Sequence, residues 1–298
     1  MELQRNNSEI IYKKRRFEGL KEFFKVIWAN KQSRIGFIIL LVFLIMAIFG
    51  PILLTQPKSN YAYRLKPPSM KHWLGTDFAG KDTLVQFILG SRDVLLVAFF
   101  AGVFTVTFAC TIGILSGLLG GRADALLMLL ANVVLTMPSF PVTMILSMVI
   151  KVQDQLTFGL VLSLWSWPGL AKQIRSQVIT LKYKDFIEAS RILGINKFNI
   201  ITKDILPNII SYVFINFIGI MKRSIIASVG LMVLGLVPFK GNHWGMMIQI
   251  SLSQTGALLG SSTAIYFLTP VIGILLFQLG CLLFATGLDE ALNPRLRS

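Results

Sequence analysis

Six long apolar runs constrain this chain more than any other feature of its sequence. Most approach or exceed the ~20 residues that a helix needs to cross the ~30 Å hydrocarbon layer of a bilayer. With 54% apolar residues and only 14% charged residues, the chain departs from the roughly 25% charged residues of globular domains. We therefore predict an all-α membrane protein with six spans. The runs are Ile35–Leu54, Val94–Leu119, Ala125–Ile150, Leu156–Leu170, Ile209–Met221 with an extension to Pro238, and Ala264–Leu288.

The basic residues indicate how the chain crosses the membrane. Met1–Arg34 holds nine Lys or Arg and Lys172–Pro207 holds seven, so the positive-inside rule puts both segments in the cytoplasm. Three more basic residues lie on the same side, so 19 of the 29 Lys and Arg residues are predicted to be cytoplasmic. Eight are predicted to lie outside, and the outer loop Thr55–Asp93 carries six of these. We predict a multi-pass protein of the cytoplasmic (inner) membrane with both termini cytoplasmic.

Three regions follow from this topology. Residues 1–34 form a basic cytoplasmic segment, residues 35–93 the first span with its outer loop, and residues 94–298 a core of five spans that includes the loop 172–207. The first run is 20 residues long and no small-residue cleavage site follows it. We therefore expect a retained anchor rather than a signal peptide.

The net charge of +15 does not indicate nucleic-acid binding. The charge lies beside the spans, where anionic inner-leaflet lipid attracts it, and no soluble domain remains to hold a nucleic acid. Membrane lipid is thus an expected partner and nucleic acid is not. Cys110 and Cys281 lie within apolar runs, which argues against a disulfide framework or a cysteine-based metal site.

The cytoplasmic loop 172–207 has the pattern of a short helix followed by a sharp turn. Four of its residues fall on one helix side, and Gly194 supplies the left-handed residue that ends a helix. Pro207 stands where the next span can begin. Charge alone favours an ordinary basic loop, but the spacing favours a docking element. Its residues are Phe186, Glu188, Ala189, Ser190, Leu193, Gly194, Leu206 and Pro207.

That spacing resembles a known signature. Glu188-Ala189-Ser190, then Gly194 after three residues, then Asp204-Ile205-Leu206-Pro207 after nine, is similar to the cytoplasmic loop of bacterial and archaeal ATP-binding-cassette importer permeases. Their pattern is Glu-Ala-Ala, three residues, Gly, nine residues, hydrophobic-X-Leu-Pro. Ser190 replaces the second alanine, and Asp204 stands where a hydrophobic residue is usual.

The resemblance implies a fold and a set of partners. The fold would be the six-span type I (MetI-like) permease fold, and the short helix would be a coupling helix that seats in an ATPase. Partners would be a second homologous permease, two cytoplasmic ATPases that bind ATP and Mg, and an extracytoplasmic solute-binding protein. This chain itself would hold no cofactor, no metal and no catalytic residue.

Further likenesses point to the dipeptide and oligopeptide (DppC/OppC-like) branch of that family. Peptide import is the function that the branch implies, with oligosaccharides and metal chelates as alternatives. The segments that carry the likeness are Gly75-Thr76-Asp77, Gly80-Lys81-Asp82, Gly90-Ser91-Arg92, Leu234-Gly235-Leu236, His243-Trp244-Gly245-Met246-Met247 and Leu292-Asn293-Pro294-Arg295.

Four residues are candidates for a solute path. Pro138 and Pro141 interrupt the third run, and each removes a backbone donor, so the helix should kink or unwind at membrane depth. Lys222 and Arg223 interrupt the fifth apolar stretch, where charge is costly. If that span ends at Met221, the pair lies near its outer end, and the following segment dips back without crossing. An anchoring role and a path-lining role are equally open for the pair.

Two patterns describe packing. Gly113, Gly117 and Gly121 recur every four residues, which predicts one face of the second span in close contact with another helix. Trp165 and Trp167 lie near the cytoplasmic end of the fourth run, a position typical of interfacial anchors.

Other functions lack sequence support. Gly75–Thr83 nearly matches a phosphate-binding loop, but Asp82 occupies the position of the Mg²⁺-binding hydroxyl. His72 and His243 are the two histidines and both fall in outer segments, so no acid–base pair at depth is available to a membrane-embedded enzyme. A secondary transporter or channel without ATPases is the alternative function. It usually buries carboxylates, and the apolar runs contain no Asp or Glu.

Overall fold

The computed structural model describes residues 27–28, 30–239, 241–254 and 261–292. Within these ranges the chain is helical and forms no strand, which confirms the all-α prediction. Residues 1–26 and the tail with Arg295 and Arg297 lie outside the described ranges. The helices are α1 (Lys31–Leu53), α2 (Thr83–Leu119), α3 (Gly121–Thr136), α4 (Ser139–Val149), α5 (Gln155–Lys182), α6 (Asp185–Ile192), α7 (Leu206–Val233), α8 (Trp244–Gln254) and α9 (Ser261–Leu292).

Four segments of the described chain are long and apolar enough to span a membrane: α1, α2, the segment Ile200–Val233 and the part of α9 from Ala264 to Asp289. The pair α3 and α4 makes a fifth if the two bent helices form one span. The predicted fourth run lies in α5, which does not qualify. Serine, tryptophan, glycine and proline dilute its first half, and basic residues occupy its second.

Helix α5 also corrects the predicted start of the cytoplasmic loop. The loop was expected from Lys172, but α5 continues to Lys182. The extension is stabilised by packing, because Ile174 and Val178 are fully buried against neighbouring helices. An ion pair adds to this, since Arg175 donates through Nε to Asp124 on α3 at 2.6 Å. Polar residues that sequence alone assigns to a loop are therefore helical here.

Close packing of α2 against α5 forms the centre of the molecule. A Cβ on Gly113 would lie 2.6 Å from the carbonyl oxygen of Ala171, and one on Gly117 would lie 2.8 Å from Cγ1 of Val178. The absent side chains thus let the two backbones approach. Gly121 does not share this contact, because nothing lies within 4 Å of its Cβ position; it begins α3 with a φ of +55°.

The helix contacts fix the relative directions of the long helices. Gly50, late in α1, faces Ile88, early in α2, so these helices are antiparallel. Helix α5 runs parallel to α2, since Gly159 faces Ala101 at one end and Gly117 faces Val178 at the other. Gly287 near the end of α9 contacts Ser33 near the start of α1. The start of α1 and the end of α9 therefore lie on the side where α2 and α5 end.

The connection from α1 to α2 is an ordered loop held together by hydrogen bonds. Asp77 is buried and accepts hydrogen bonds from the backbone N–H groups of Ala79 and Lys81 at 2.9 and 2.7 Å, and from Nε2 of Gln86 at 3.0 Å. Asp82 caps α2 by accepting from the N–H of Val85 and pairs with Nδ1 of His72 at 2.7 Å. The carboxylate that rules out phosphate binding thus has a structural role.

Helix α7 decides between two interpretations of the fifth apolar stretch. The sequence allowed a span that ends at Met221 with the next segment dipping back, or an extension toward Pro238, and α7 runs unbroken from Leu206 to Val233. Buried Ser224, Ile225 and Ser228 continue its packed face past the charged pair. Lys222 and Arg223 therefore lie inside a 28-residue helix rather than at its outer end.

Candidate functional site

A compact turn closes helix α6. The N–H of Ile195 donates to the carbonyl of Ser190 and the N–H of Gly194 donates to the carbonyl of Arg191, both at 3.0 Å. Gly194 has a φ of +69°. This is the Schellman arrangement, in which a glycine in the left-handed region ends a helix. The residue that the sequence marked as the end of the helix holds that conformation.

Helix α6 presents apolar side chains on both sides. Ile187 is fully buried in a cluster with Val178, Ile200 and Ile205, and this inward contact was not predicted. About 100° or more around the helix from Ile187, Phe186 is 45% exposed and Leu193 is 77% exposed. The exposed members are Phe186, Ile192, Leu193, Ile195 and Phe198. An apolar patch exposed within a polar stretch is typical of a protein contact surface.

The two departures from the signature pattern contact each other. Oγ of Ser190 on α6 donates to Oδ2 of Asp204 at 3.1 Å. Asp204 lies in a π-helical segment, Ile200–Ile205, that leads into α7. An alanine at position 190 has no donor, so the two unusual residues form one interaction that neither would form alone. It joins the end of α6 to the base of α7.

The remaining signature residues begin α7. Pro207 lies in the first turn of α7 and is exposed, and Leu206 is half-buried. Proline lacks the N–H that a helix interior uses, so its place in the first turn is favourable. Glu188 and Ala189 are exposed on α6, with Glu188 in the first turn, where a carboxylate interacts favourably with the helix dipole. We refer to residues 183–206 as the coupling segment.

A second feature is the break between α3 and α4. The two helices meet at 91°, and Met137 and Pro138 at the junction have extended backbone conformations. The residue before a proline avoids the α region, which explains the end of α3 at Thr136. The predicted interruption is confirmed, and it is sharper than a kink. Pro141 falls inside the first turn of α4.

A cavity of about 260 Å³ lies beside this break. It is bounded by α4, α5 and α7. The residues that give it polar character are Ser139 and Thr143 on α4, Trp165 and Ser166 on α5, and Arg223 and Ser224 on α7. Pro138 and Pro141 shape this region through the backbone of α4. Of the four predicted path residues, Arg223 lines this cavity, the two prolines lie next to lining residues of α4, and Lys222 does not line it.

Lys222 and Arg223 point to different sides of α7. Arg223 is exposed, lines the cavity, and has Nη1 within 3.7 Å of the Cβ position of Gly219. Lys222 is half-buried, and its backbone carbonyl accepts from Nε2 of Gln278 on α9 at 2.9 Å. Successive residues on a helix are about 100° apart, which accounts for the separation. The pair that the sequence treated together is divided.

Trp165 lines the same cavity. It lies seventeen residues before the end of α5 at Lys182, about 26 Å along the helix, and its role as an interfacial anchor stays a prediction. Its Nε1 is buried and, among the described residues, has no hydrogen-bond partner. Trp167, two residues later, is buried.

Comparison with known families finds two matches. A sequence model of the binding-protein-dependent transport system inner membrane component matches residues 109–298. A second, the N-terminal TM domain of oligopeptide transport permease C, matches residues 20–68. The first match includes the whole coupling segment and the three helices that bound the cavity.

Individual relatives match along most of the chain. The oligopeptide transport system permease protein OppC of Bacillus subtilis is 31% identical over 272 residues, 90% of this chain and 87% of the relative. The dipeptide transport system permease protein DppC of Alkalihalophilus pseudofirmus is 30% identical over 284 residues, 93% of this chain and 90% of the relative. The probable D,D-dipeptide transport system permease protein DdpC of Escherichia coli is 27% identical over 289 residues.

Proposed function

The chain belongs to the family of binding-protein-dependent transport system inner membrane components, and from this premise we propose that it imports peptides as one permease subunit of an ATP-driven transporter. It is a multi-pass inner-membrane transport component and not an enzyme. Relatives named for oligopeptide and dipeptide transport support peptides as the solute.

The coupling segment carries the proposal. Its exposed Phe186, Leu193 and Ile195 surround the turn at Gly194, while buried Ile187 attaches α6 to α5 and α7. A partner that moves α6 therefore moves the cores of two long helices. We propose that a cytoplasmic ATPase docks here, and that ATP and Mg are bound by that partner.

The assembly would contain further subunits. A second homologous permease, a second ATPase and an extracytoplasmic solute-binding protein complete it, as the family implies. Closure of the ATPases would tilt the helices as rigid bodies and expose the cavity to alternate sides of the membrane. The break at Pro138 and the exposed face of α7 around Arg223 would border the solute path.

The helix directions support six crossings. Helix α2 ends beside the end of α5 although α5 begins at the opposite side, so α3 and α4 together must return the chain across the membrane. The start of α1 and the end of α9 share the side of the coupling segment. With the basic loop in the cytoplasm, both termini are cytoplasmic in this proposal.

Co-purification tests the proposal. The chain, produced with its partner permease and ATPases, should bring down both ATPases from detergent extract, and proteoliposomes with the binding protein should accumulate a labelled peptide only when ATP is supplied. Uptake that proceeds without ATPase subunits would establish the alternative, a secondary transporter or channel.

A further inference from the structure

The cavity between α4, α5 and α7 collects groups that favour negative charge. We propose that it is a binding site for a carboxylate of the transported peptide, an inference that rests on the proposed function and names the chemistry that its path recognises. Three observations on three different helices support it independently.

The first observation concerns Arg223. It lines the cavity, and within the described residues no carboxylate forms an ion pair with it. Among the residues that the structure describes, no Asp or Glu borders the cavity. A guanidinium within a membrane-spanning helix is costly unless it is paired or faces a wet path. Its planar donors match a carboxylate in two-point geometry, so an arriving carboxylate would supply the missing partner.

Trp165 is the second observation. Its Nε1 is buried and unpartnered within the described part of the chain, and the side chain lines the same cavity. An indole N–H can only donate, so the group that satisfies it must be an acceptor. The residue lies on α5, across the cavity from α7, so its donor is independent of the position of Arg223.

The start of α4 is the third observation. Ser139 and Phe140 begin α4 and line the cavity. Pro138 at the cap position has no side chain that accepts from the first turn. In this turn Pro141 has no N–H, and the N–H of Val142 donates to the carbonyl of Pro138 at 3.4 Å. The N–H groups of Ser139 and Phe140 therefore remain without partners within the helix, and they form the positive end of its dipole. This end of the 11-residue α4 therefore also attracts an anion.

The size of the cavity restricts what enters it. Its volume of about 260 Å³ lies just below the ~300–1,000 Å³ that is usual for small-molecule pockets. That room accommodates one terminal residue of a peptide with its carboxylate and excludes a folded chain. The carboxylate comes from the free C-terminus, which unmodified linear peptides share, or from an acidic side chain. Recognition of that shared group allows many sequences to pass.

Paired peptides provide the test. Uptake into proteoliposomes is measured for one neutral peptide with a free C-terminus, for its C-terminal amide, and for an amide that carries a glutamate side chain. The readout is the ratio of each carboxylate peptide to the neutral amide. Because every assay uses the same binding protein, its own preference cancels when variants are compared with wild type.

Arg223→Gln should lower at least one of these ratios about fivefold or more, since a charge-assisted interaction is lost. Trp165→Phe, which keeps a ring and removes the donor, should lower the same ratio about twofold. Lys222→Gln and Trp167→Phe are the matched controls, and both should leave the ratios unchanged. The peptide whose ratio falls identifies the C-terminus or the acidic side chain as the source of the carboxylate.

Two results would overturn the inference while the proposed function stands. One is an Arg223→Gln importer that assembles normally and keeps all ratios of the wild type. The other is a variant in which uptake of all three peptides falls equally, as it would if Arg223 served packing or bound an anionic lipid. A wild-type importer that accumulates none of the peptides would instead overturn the proposed function itself.

Discussion

The coupling segment and the cavity are built in opposite ways. In the coupling segment, apolar Phe186 and Leu193 are exposed within a polar stretch. In the cavity, Arg223 and several hydroxyl groups gather within apolar helices. Each arrangement is unfavourable in an isolated chain, and in our proposals each would be relieved by a partner of matching chemistry, a protein groove in one case and a polar solute in the other. Both surfaces are therefore identified by side chains whose polarity is opposite to that of their surroundings.

A single helix connects the two regions. Helix α5 contributes Trp165 to the cavity and Val178 to the core beneath the coupling segment. Its contact with α2 at Gly113 and Gly117 leaves no room for side chains. A displacement at one end of such a tightly packed pair is carried to the other end as a rigid-body motion.

Gly194→Val should have the largest effect, and should act on the coupling segment alone. A β-branched residue at φ +69° costs roughly 1–2 kcal/mol, so α6 would end differently and its exposed patch would be displaced. We expect normal insertion, loss of most ATPase co-purification and loss of solute-stimulated ATP hydrolysis. Gly194→Asn, which tolerates the left-handed region, should retain most of both. Normal docking and transport by the valine variant would reduce the segment to a basic linker.

Gly117→Leu should have the next largest effect, because it disrupts the contact between α2 and α5, and α5 connects the two regions. The added side chain collides with Val178 and with the carbonyl of Arg175 at 3.2 Å. The yield of assembled complex should fall several-fold, while turnover per assembled complex changes little. Gly169→Leu is the control, since nothing lies within 4 Å of its Cβ position. Unchanged assembly of the Gly117 variant, measured by size-exclusion chromatography, would show that this face does not need close packing.

Pro138→Ala should affect the cavity and leave the coupling segment intact, which is the reverse of the effect expected for Gly194→Val. Loss of the ring releases Met137 from its extended conformation, so the 91° break can relax toward a continuous helix. Peptide uptake should fall several-fold while ATPase co-purification stays at the wild-type level. Parallel losses of uptake and docking would mean that the break supports the whole fold and not the cavity.

Ser190→Ala should have the smallest effect, and it sharpens the description of the coupling segment. The hydrogen bond to Asp204 is partly exposed, so we expect about a twofold loss of solute-stimulated ATP hydrolysis, consistent with ~1 kcal/mol or less. Asp204→Leu should behave similarly. The double variant, which restores the residue types of the resembled signature, should recover activity through this coupling. Additive losses in the double variant would show that the two residues act separately.

The helix ends of the coupling segment could be predicted from local residue spacing. Gly194 ends a helix and Pro207 begins one because each depends on the conformational limits of a single residue, and such limits can be read from sequence. The break at Pro138 follows from the same reasoning. Family membership, membrane location and the all-α class also rest on patterns that are contiguous along the chain.

Tertiary packing decided what spacing could not. Sequence ended the fourth helix too early, because burial of Ile174 and Val178 extends α5 past its apolar run. Sequence also left open where the fifth span ends, and the packed Ser224–Ser228 face continues α7 past its charges. It also treated Lys222 and Arg223 as a pair. The cavity exists because α4, α5 and α7 converge, and the pair Ser190–Asp204 exists because α6 folds back on the base of α7. Contacts between distant segments depend on how whole helices pack, which no local pattern specifies.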